Sequence, residues 1–184
     1  MIQVLIVDDE KLEREGIKYL LAMEEGEWNI REASNGRDAL QILKSEETDL
    51  LLTDIKMPHM DGLELTSKAK ELNPGLQVVI FSGYSDFTFA QEAIRYGVTE
   101  YMLKPVEPES FHKTINQTKK NILKKKDKET REQKEQDFLQ EYFLESYLYT
   151  GKKRYPGKIR RHDQSGKMEV LALCDPDRIG YGVF

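Results

Sequence analysis

The sequence predicts a doubly wound α/β domain over roughly its first 118 residues, followed by a long helix and the opening of a second unit. Three observations point there. Short runs of Val, Ile and Leu alternate five times with helical patterns. The connections between them are short. Charged or hydroxyl-bearing residues stand directly after the apolar runs. Strands covered on both faces of a parallel sheet lose the in–out alternation of a half-exposed strand and read as near-continuous apolar runs.

The strand candidates are IQVLIV (2–7), WNIREA (28–33), LLLT (50–53), LQVVIF (76–81) and VTEYML (98–103). Helical patterns lie between them at 10–24, 36–45, 61–72 and 86–96, and another begins near 107. Turn chemistry punctuates the series: Asn35-Gly36 before the second helix, Asn73-Pro74-Gly75 before the fourth strand, Gly97 after the fourth helix. Each of these residue types supplies a backbone conformation or a local hydrogen bond that ends a regular element.

Beyond Val106 the pattern changes. Glu107-Pro108-Glu109 reads as the first turn of a helix, or of two close-set ones, reaching residue 150. Phe111, Ile115, Ile122 and Leu123 are expected on its packing face. Residues 124–137, KKKDKETREQKEQD, are polar all round and read as a solvated connector helix rather than a coiled coil, since the seam positions lack apolar residues. Aromatic residues return in FLQEYFLESYLYT (138–150) and call for a packing partner in another element or subunit. A basic loop over 152–161 and a strand at 168–175 follow. The expected organisation is 1–118, a connector over 119–137, and an incomplete second domain over 138–184.

Charge separates the same parts. Residues 1–116 carry 22 acids against 12 bases, and residues 117–184 carry 11 against 16. That asymmetry points to two surfaces of opposite character. No apolar run approaches the ~20 residues needed to span a bilayer. The N-terminus, MIQVLIVDDE, has no basic leader and reads as a strand. A single cysteine, Cys174, supports no internal disulfide and fits a reducing, cytoplasmic setting; it reads as a small buried apolar residue. The basic stretch 152–161 reads as a solvated run rather than a phosphate-binding patch. His59, His112 and His162 are scattered and read as surface residues, not as zinc ligands.

The chemistry lies where strands end. Asp8, Asp9 and Glu10 follow the first strand, Asp54 the third, Ser82-Gly83 the fourth and Lys104-Pro105 the fifth. In an open parallel sheet these positions converge in one crevice. A single Asp after a strand is ordinarily a helix N-cap. Three carboxylates, a lysine and a hydroxyl together form a site that repels itself unless a cation enters, and oxygen donors alone suit Mg²⁺. With Lys104 and Ser82 beside the metal, the set suits phosphoryl transfer, with Asp54 as nucleophile.

VLIVDDE, LLLTDIKMPHMDG, VVIFSGYSDF and YMLKPVE, in that order, resemble the receiver domain of two-component response regulators. The resemblance implies a flavodoxin-like (βα)5 fold with a five-stranded parallel sheet in the order 2-1-3-4-5. It makes Asp54 the phospho-acceptor, served by a sensor histidine kinase. It gives Mg²⁺ to Asp8, Asp9, Asp54 and the backbone carbonyl of Lys56. Ser82 and Tyr101 match the pair that rearranges on phosphorylation, Lys104 the lysine that contacts the phosphoryl group, and Lys104-Pro105 a cis peptide. Lys56 and Tyr84 occupy the two positions whose side chains influence acyl-phosphate lifetime in the family. By itself Tyr101 reads as an ordinary strand aromatic.

The long polar helix and aromatic segment are further similar to the AraC-type response regulators. The pair of helix-turn-helix motifs through which such regulators bind DNA has no room after residue 150, so an output region largely absent from this chain is expected. A phosphorylation-dependent homodimer is the other implied partner. Two rivals are weaker. A haloacid-dehalogenase-type phosphohydrolase needs an acid two residues after its nucleophile, where this chain has Lys56. A nucleotide- or flavin-binding domain needs glycines in the first turn, which here reads VDDEK.

Overall fold

The computed structural model describes residues 1–83, 87–150, 159–162 and 168–171. They divide into two units, Met1–Lys128 and Glu129–Phe184. The first unit is built on strands β1 (Ile2–Val7), β2 (Trp28–Ala33), β3 (Leu50–Asp54), β4 (Gln77–Ser82) and β5 (Glu100–Leu103). All neighbouring pairs are parallel and the sheet order is β2-β1-β3-β4-β5, as expected. Helices α1 (Lys11–Ala22), α2 (Gly36–Ser45), α3 (Gly62–Leu72) and α4 (Phe87–Arg95) join the strands, and α5 runs from Pro108 to Thr150.

The reason for the unbroken apolar runs is visible in the core. Alternate residues of β1, β3 and β4 enter two separate clusters. Leu5, Val7, Leu51, Val78 and Ile80 pack with Ala39 of α2, Leu63, Leu65 and Ala69 of α3, and Ala93 of α4. Val4, Ile6, Leu50, Leu52, Val79 and Phe81 pack with Ile17 and Leu21 of α1 and with Phe111, Ile115 and Ile122 of α5. Strands buried on both faces, as β1, β3 and β4 are, carry their charged side chains at their ends. Phe81 stacks on Phe111 at 6.3 Å between ring centroids, which fastens α5 to the middle of the sheet.

Capping follows the turn signals. Asn35 accepts a hydrogen bond from the Asp38 amide (2.9 Å) and opens α2; Asp61 accepts from the Glu64 amide (2.7 Å) and opens α3. Gly97 closes α4 with φ of 69°, a conformation that costs glycine nothing.

Two expectations about the chain beyond Val106 need correction. Leu123 is exposed, and Thr118 occupies the packing face in its place. The buried positions 111, 115, 118 and 122 follow spacings of four, three and four, which trace one helical stripe; residue 123 lies about 100° round from it. Second, Ile159–His162 is a strand, β6, where a loop was expected, and it pairs antiparallel with β7 (Met168–Leu171). Residues 152–158, the rest of the expected strand at 172–175 and Cys174 lie outside the described residues. In the second unit, Phe138 and Phe143 are exposed, and Phe138 stacks on Tyr142 at 6.4 Å.

Polar residues of α5 from His112 to Lys126 are tied to the base of the sheet. Lys126 pairs with Asp49 at 2.6 Å, while Asp49 also accepts from the Gln3 amide at 2.8 Å. Lys119 donates to the Glu25 carbonyl, and Lys125 reaches Asn73 Oδ1 at 3.5 Å. His112, exposed as expected, sets its Nδ1 2.8 Å from the Glu24 carboxylate, whose side chain is only 6% exposed. A fragment ending at Lys128 is therefore expected to be more stable than one ending at Thr118 by about 3 kcal/mol, chiefly from burial of Ile122. Urea denaturation of the two fragments checks this; equal midpoints would contradict it.

Candidate functional site

β3 lies between β1 and β4, so its carboxyl end sits in the middle of the sheet. Asp54 is the last residue of β3 and stands opposite Phe81, and Ile55 continues the pairing through its amide to the Phe81 carbonyl (3.2 Å). Beyond Asp54 the chain must turn sharply. The Gly62 amide donates to the Ile55 carbonyl (2.8 Å), and a Cβ at Gly62 would collide with the Asp54 carbonyl oxygen. Glycine is required there because two backbone segments touch. His59 takes the positive φ, 69°, that the tight turn demands.

Lys104 follows β5. Its amide donates to the Ser82 carbonyl (2.8 Å), and its peptide bond to Pro105 is cis. The ammonium reaches across the strand ends to Asp8 Oδ2 and Asp54 Oδ1, 2.9 Å from each. It also lies 3.5 Å from Glu13 Oε2, on the first turn of α1. The Asp8 and Asp54 oxygens are thus no more than about 6 Å apart, and without the lysine they would repel by roughly 3 kcal/mol at an effective dielectric near 20.

Each carboxylate is also held from its other side. Asp8 Oδ1 accepts from the Glu10 amide (2.9 Å) and Asp54 Oδ2 accepts from the Lys56 amide (2.9 Å). Both acids are nearly buried. Burial raises the Asp54 carboxyl above its ordinary range, and the Lys104 ion pair only partly offsets that. For Lys104, burial alone would favour the neutral amine, but its bonds to Asp8 and Asp54 prevail and raise its pKa.

Asp9 is exposed. Ser82 is buried at the end of β4, opposite Leu103. Tyr101 is half-buried against the cluster under α3 and α4. The Lys56 ammonium lies 6.0 Å from the centroid of the Phe89 ring. Tyr84 lies outside the described residues.

Among the described residues, no three His, Cys, Asp or Glu side chains are gathered as a metal cluster. Two buried carboxylates nevertheless fit Mg²⁺, which binds through one or two carboxylates and keeps several waters. Sequence reasoning missed Glu13 and Arg14. Arg14 Nη1 donates to the Asp8 carbonyl at 2.8 Å, and its Nε meets Glu32 at 3.2 Å. The hydrogen bond from Lys18, with Arg14 beside it, keeps the Glu32 carboxyl below its ordinary range. The only available signal was spacing, since positions 13 and 14 fall in the first turn after the acidic pair.

Comparison with known proteins gives a consistent pattern. The family described as response regulator receiver domain matches residues 4–116. The uncharacterized transcriptional regulatory protein YesN of Bacillus subtilis is 33% identical over 153 residues, which cover 80% of this chain and 41% of that protein. The chain therefore spans less than half the length of that relative. Among solved structures, the receiver domain of AraT, a response regulator from Geobacillus stearothermophilus, matches at 36% identity with a TM-score of 0.60. That match covers 68% of this chain and 98% of the other. A two-component transcriptional regulator AraC from Clostridium phytofermentans matches at 34% identity and TM-score 0.60, covering 67% and 97%.

The charge balance has a thermodynamic consequence. Asp54→Asn removes a buried carboxylate and leaves Lys104 paired with Asp8, so the metal-free protein should gain about 1 kcal/mol. Lys104→Met strands two acids and should cost about 3 kcal/mol. The native Asp54 carboxyl binds its proton more tightly than an unfolded one. Its destabilising effect is therefore full above the raised native value and fades as pH falls towards the ordinary 3.8. Thermal melts from pH 7 downward should show the Asp54→Asn advantage shrinking; an advantage that grows on acidification would contradict the assignment.

Proposed function

The chain belongs to the response regulator receiver family, and on that premise we propose that it is a phosphorylation switch with Asp54 as the phospho-acceptor. The observation that carries this reading is the Lys104 ammonium held 2.9 Å from both Asp8 and Asp54 at the carboxyl edge of the sheet. A cation fixed beside a buried carboxylate can stabilise negative charge that builds on a phosphoryl group in transfer.

The donor is a phosphohistidine of a sensor histidine kinase. An Asp54 carboxylate oxygen attacks phosphorus, the P–N bond breaks, and the leaving imidazole nitrogen takes its proton from solvent. The product is an acyl phosphate on Asp54. Mg²⁺, held by Asp8, Asp9, Asp54 and the Lys56 carbonyl, would neutralise the phosphoryl oxygens during transfer. Asp8 and Lys104 orient the acceptor, and the Lys56 amide fixes its second oxygen. The chain takes part in its own phosphorylation and dephosphorylation without turning over a substrate.

The switch itself is the pair Ser82 and Tyr101. A phosphoryl group on Asp54 offers the Ser82 hydroxyl a charged acceptor, and Tyr101 moves into the space that Ser82 and its strand vacate. That movement alters the face carrying Ile94, Tyr96 and Leu103, three exposed hydrophobic side chains of α4 and β5 and the turn between them. A homodimer that forms on phosphorylation would use this face. Control of transcription, the role in the names of the matched relatives, is the output; DNA contact belongs to the region by which those relatives exceed this chain.

Incubation with Mg²⁺ and acetyl phosphate, followed by intact mass measurement, tests the assignment. The wild-type chain should gain one labile phosphoryl group and Asp54→Asn none. Steady hydrolysis of phosphate esters, or labelling that survives in Asp54→Asn, would overturn it.

A further inference from the structure

The N-terminus of α1 is built unusually. Glu10, its N-cap residue, makes no side-chain capping hydrogen bond. One turn into the helix, Arg14 reaches back out of it instead. Its Nη1 donates to the main-chain carbonyl of Asp8 at 2.8 Å, while its Nε meets Glu32 Oε2 on the neighbouring strand β2 at 3.2 Å. Glu32 is itself held by Lys18 at 2.8 Å. The Arg14 side chain is only 14% exposed, so this charge-assisted bond is partly shielded from competing water.

Asp8 then has four fixed points. Its amide donates to the Ala33 carbonyl (3.3 Å), its carbonyl accepts from Arg14, Oδ1 accepts from the Glu10 amide (2.9 Å), and Oδ2 accepts from Lys104 (2.9 Å). Only the last depends on Lys104. The other three hold the residue whatever that lysine does.

We infer that Arg14 is a positioning residue for the acidic pocket: braced by Glu32, it pins the Asp8 carbonyl and so pre-sets the Asp8 carboxylate for a divalent cation. The cation part of this inference rests on the function proposed above. Groups behind a metal ligand that fix its orientation strengthen binding by removing the cost of ordering it. The geometry asks for arginine, because Nε and Nη1 serve Glu32 and the carbonyl together. A lysine offers one point charge for both tasks.

The test uses the full chain with Arg14→Met, which keeps most of the apolar stem and removes the donors. Arg31→Met is the control. It deletes another half-buried guanidinium of β2, paired with Glu46 and the Glu47 carbonyl away from the acidic pocket. Calorimetric titration with Mg²⁺ alone, at a temperature where every variant is folded, should show Arg14→Met binding about tenfold more weakly than wild type. Arg14→Lys should fall between them, and Arg31→Met should match wild type. In metal-free protein, hydrogen exchange at the Glu10 amide should accelerate in Arg14→Met but not in Arg31→Met. Unchanged Mg²⁺ affinity together with unchanged Glu10 exchange in Arg14→Met would overturn the positioning role, as would equal weakening by Arg31→Met. Wild-type chain that binds no Mg²⁺ would instead overturn the cation reading, and the exchange measurement would then decide the bracing alone.

Discussion

One ammonium group organises the carboxyl edge of this sheet. Lys104 Nζ is the shared partner of Asp8 and Asp54, two nearly buried acids contributed by adjacent strands and separated from the lysine by 96 and 50 positions in sequence. An uncompensated buried charge costs several kcal/mol, and the lysine offsets that cost for both carboxylates. The lysine also gains from the acids, because burial works against its charged form and its bonds to Asp8 and Asp54 outweigh that. One lysine serves both acids, so the strand order that places the β1, β3 and β5 ends within reach is a condition of the site.

That strand order follows from the two-sided burial of the sheet. β1, β3 and β4 supply core residues to both faces, which leaves the strand termini as the place where polar side chains meet solvent. A parallel sheet aligns all its carboxyl ends on one edge, and the short turns that follow deliver Asp8, Asp54, Ser82 and Lys104 to it. Gly62 completes the arrangement from behind. By pressing its backbone against the Asp54 carbonyl, it limits how far β3 can shift.

Much of this was legible in the sequence, because apolar periodicity and strand-end chemistry are local signals. The five strands, the turn at Asn35-Gly36 and the grouping of Asp8, Asp54 and Lys104 follow from runs and turns a few residues long, while the strand order came from the family resemblance. What escaped was contact between distant polar residues. Arg14 on the Asp8 carbonyl, His112 on Glu24 and Lys126 on Asp49 each join side chains whose neighbours in sequence announce nothing. Arginine, histidine and lysine on helices read as solvated surface, and only the packing of α1 and α5 against the sheet gives them partners. Leu123 failed for the opposite reason: its apolar character suggested a core position, but the stripe set by Phe111, Ile115 and Ile122 excludes it. Thr118, polar by type, lies on that stripe and is buried.

The charge count at the site leads to a last step. Within 3.5 Å of the Lys104 nitrogen lie carboxylate oxygens from Asp8, Asp54 and Glu13, so one positive charge faces three negative ones. Such a pocket is under-neutralised, and a divalent cation is the size of charge that balances it. On the reading proposed here, the arriving phosphoryl group adds further negative charge at Asp54 and so deepens the need for that cation. Lys104 is then drawn toward the phosphoryl oxygens, and its hold on Asp8 weakens. Asp8 must keep its place through its backbone and Oδ1 contacts alone. On that same reading the pocket's acids need supports besides the lysine, and for Asp8 these are Arg14 and the Glu10 amide at the start of α1 and the Ala33 carbonyl of β2.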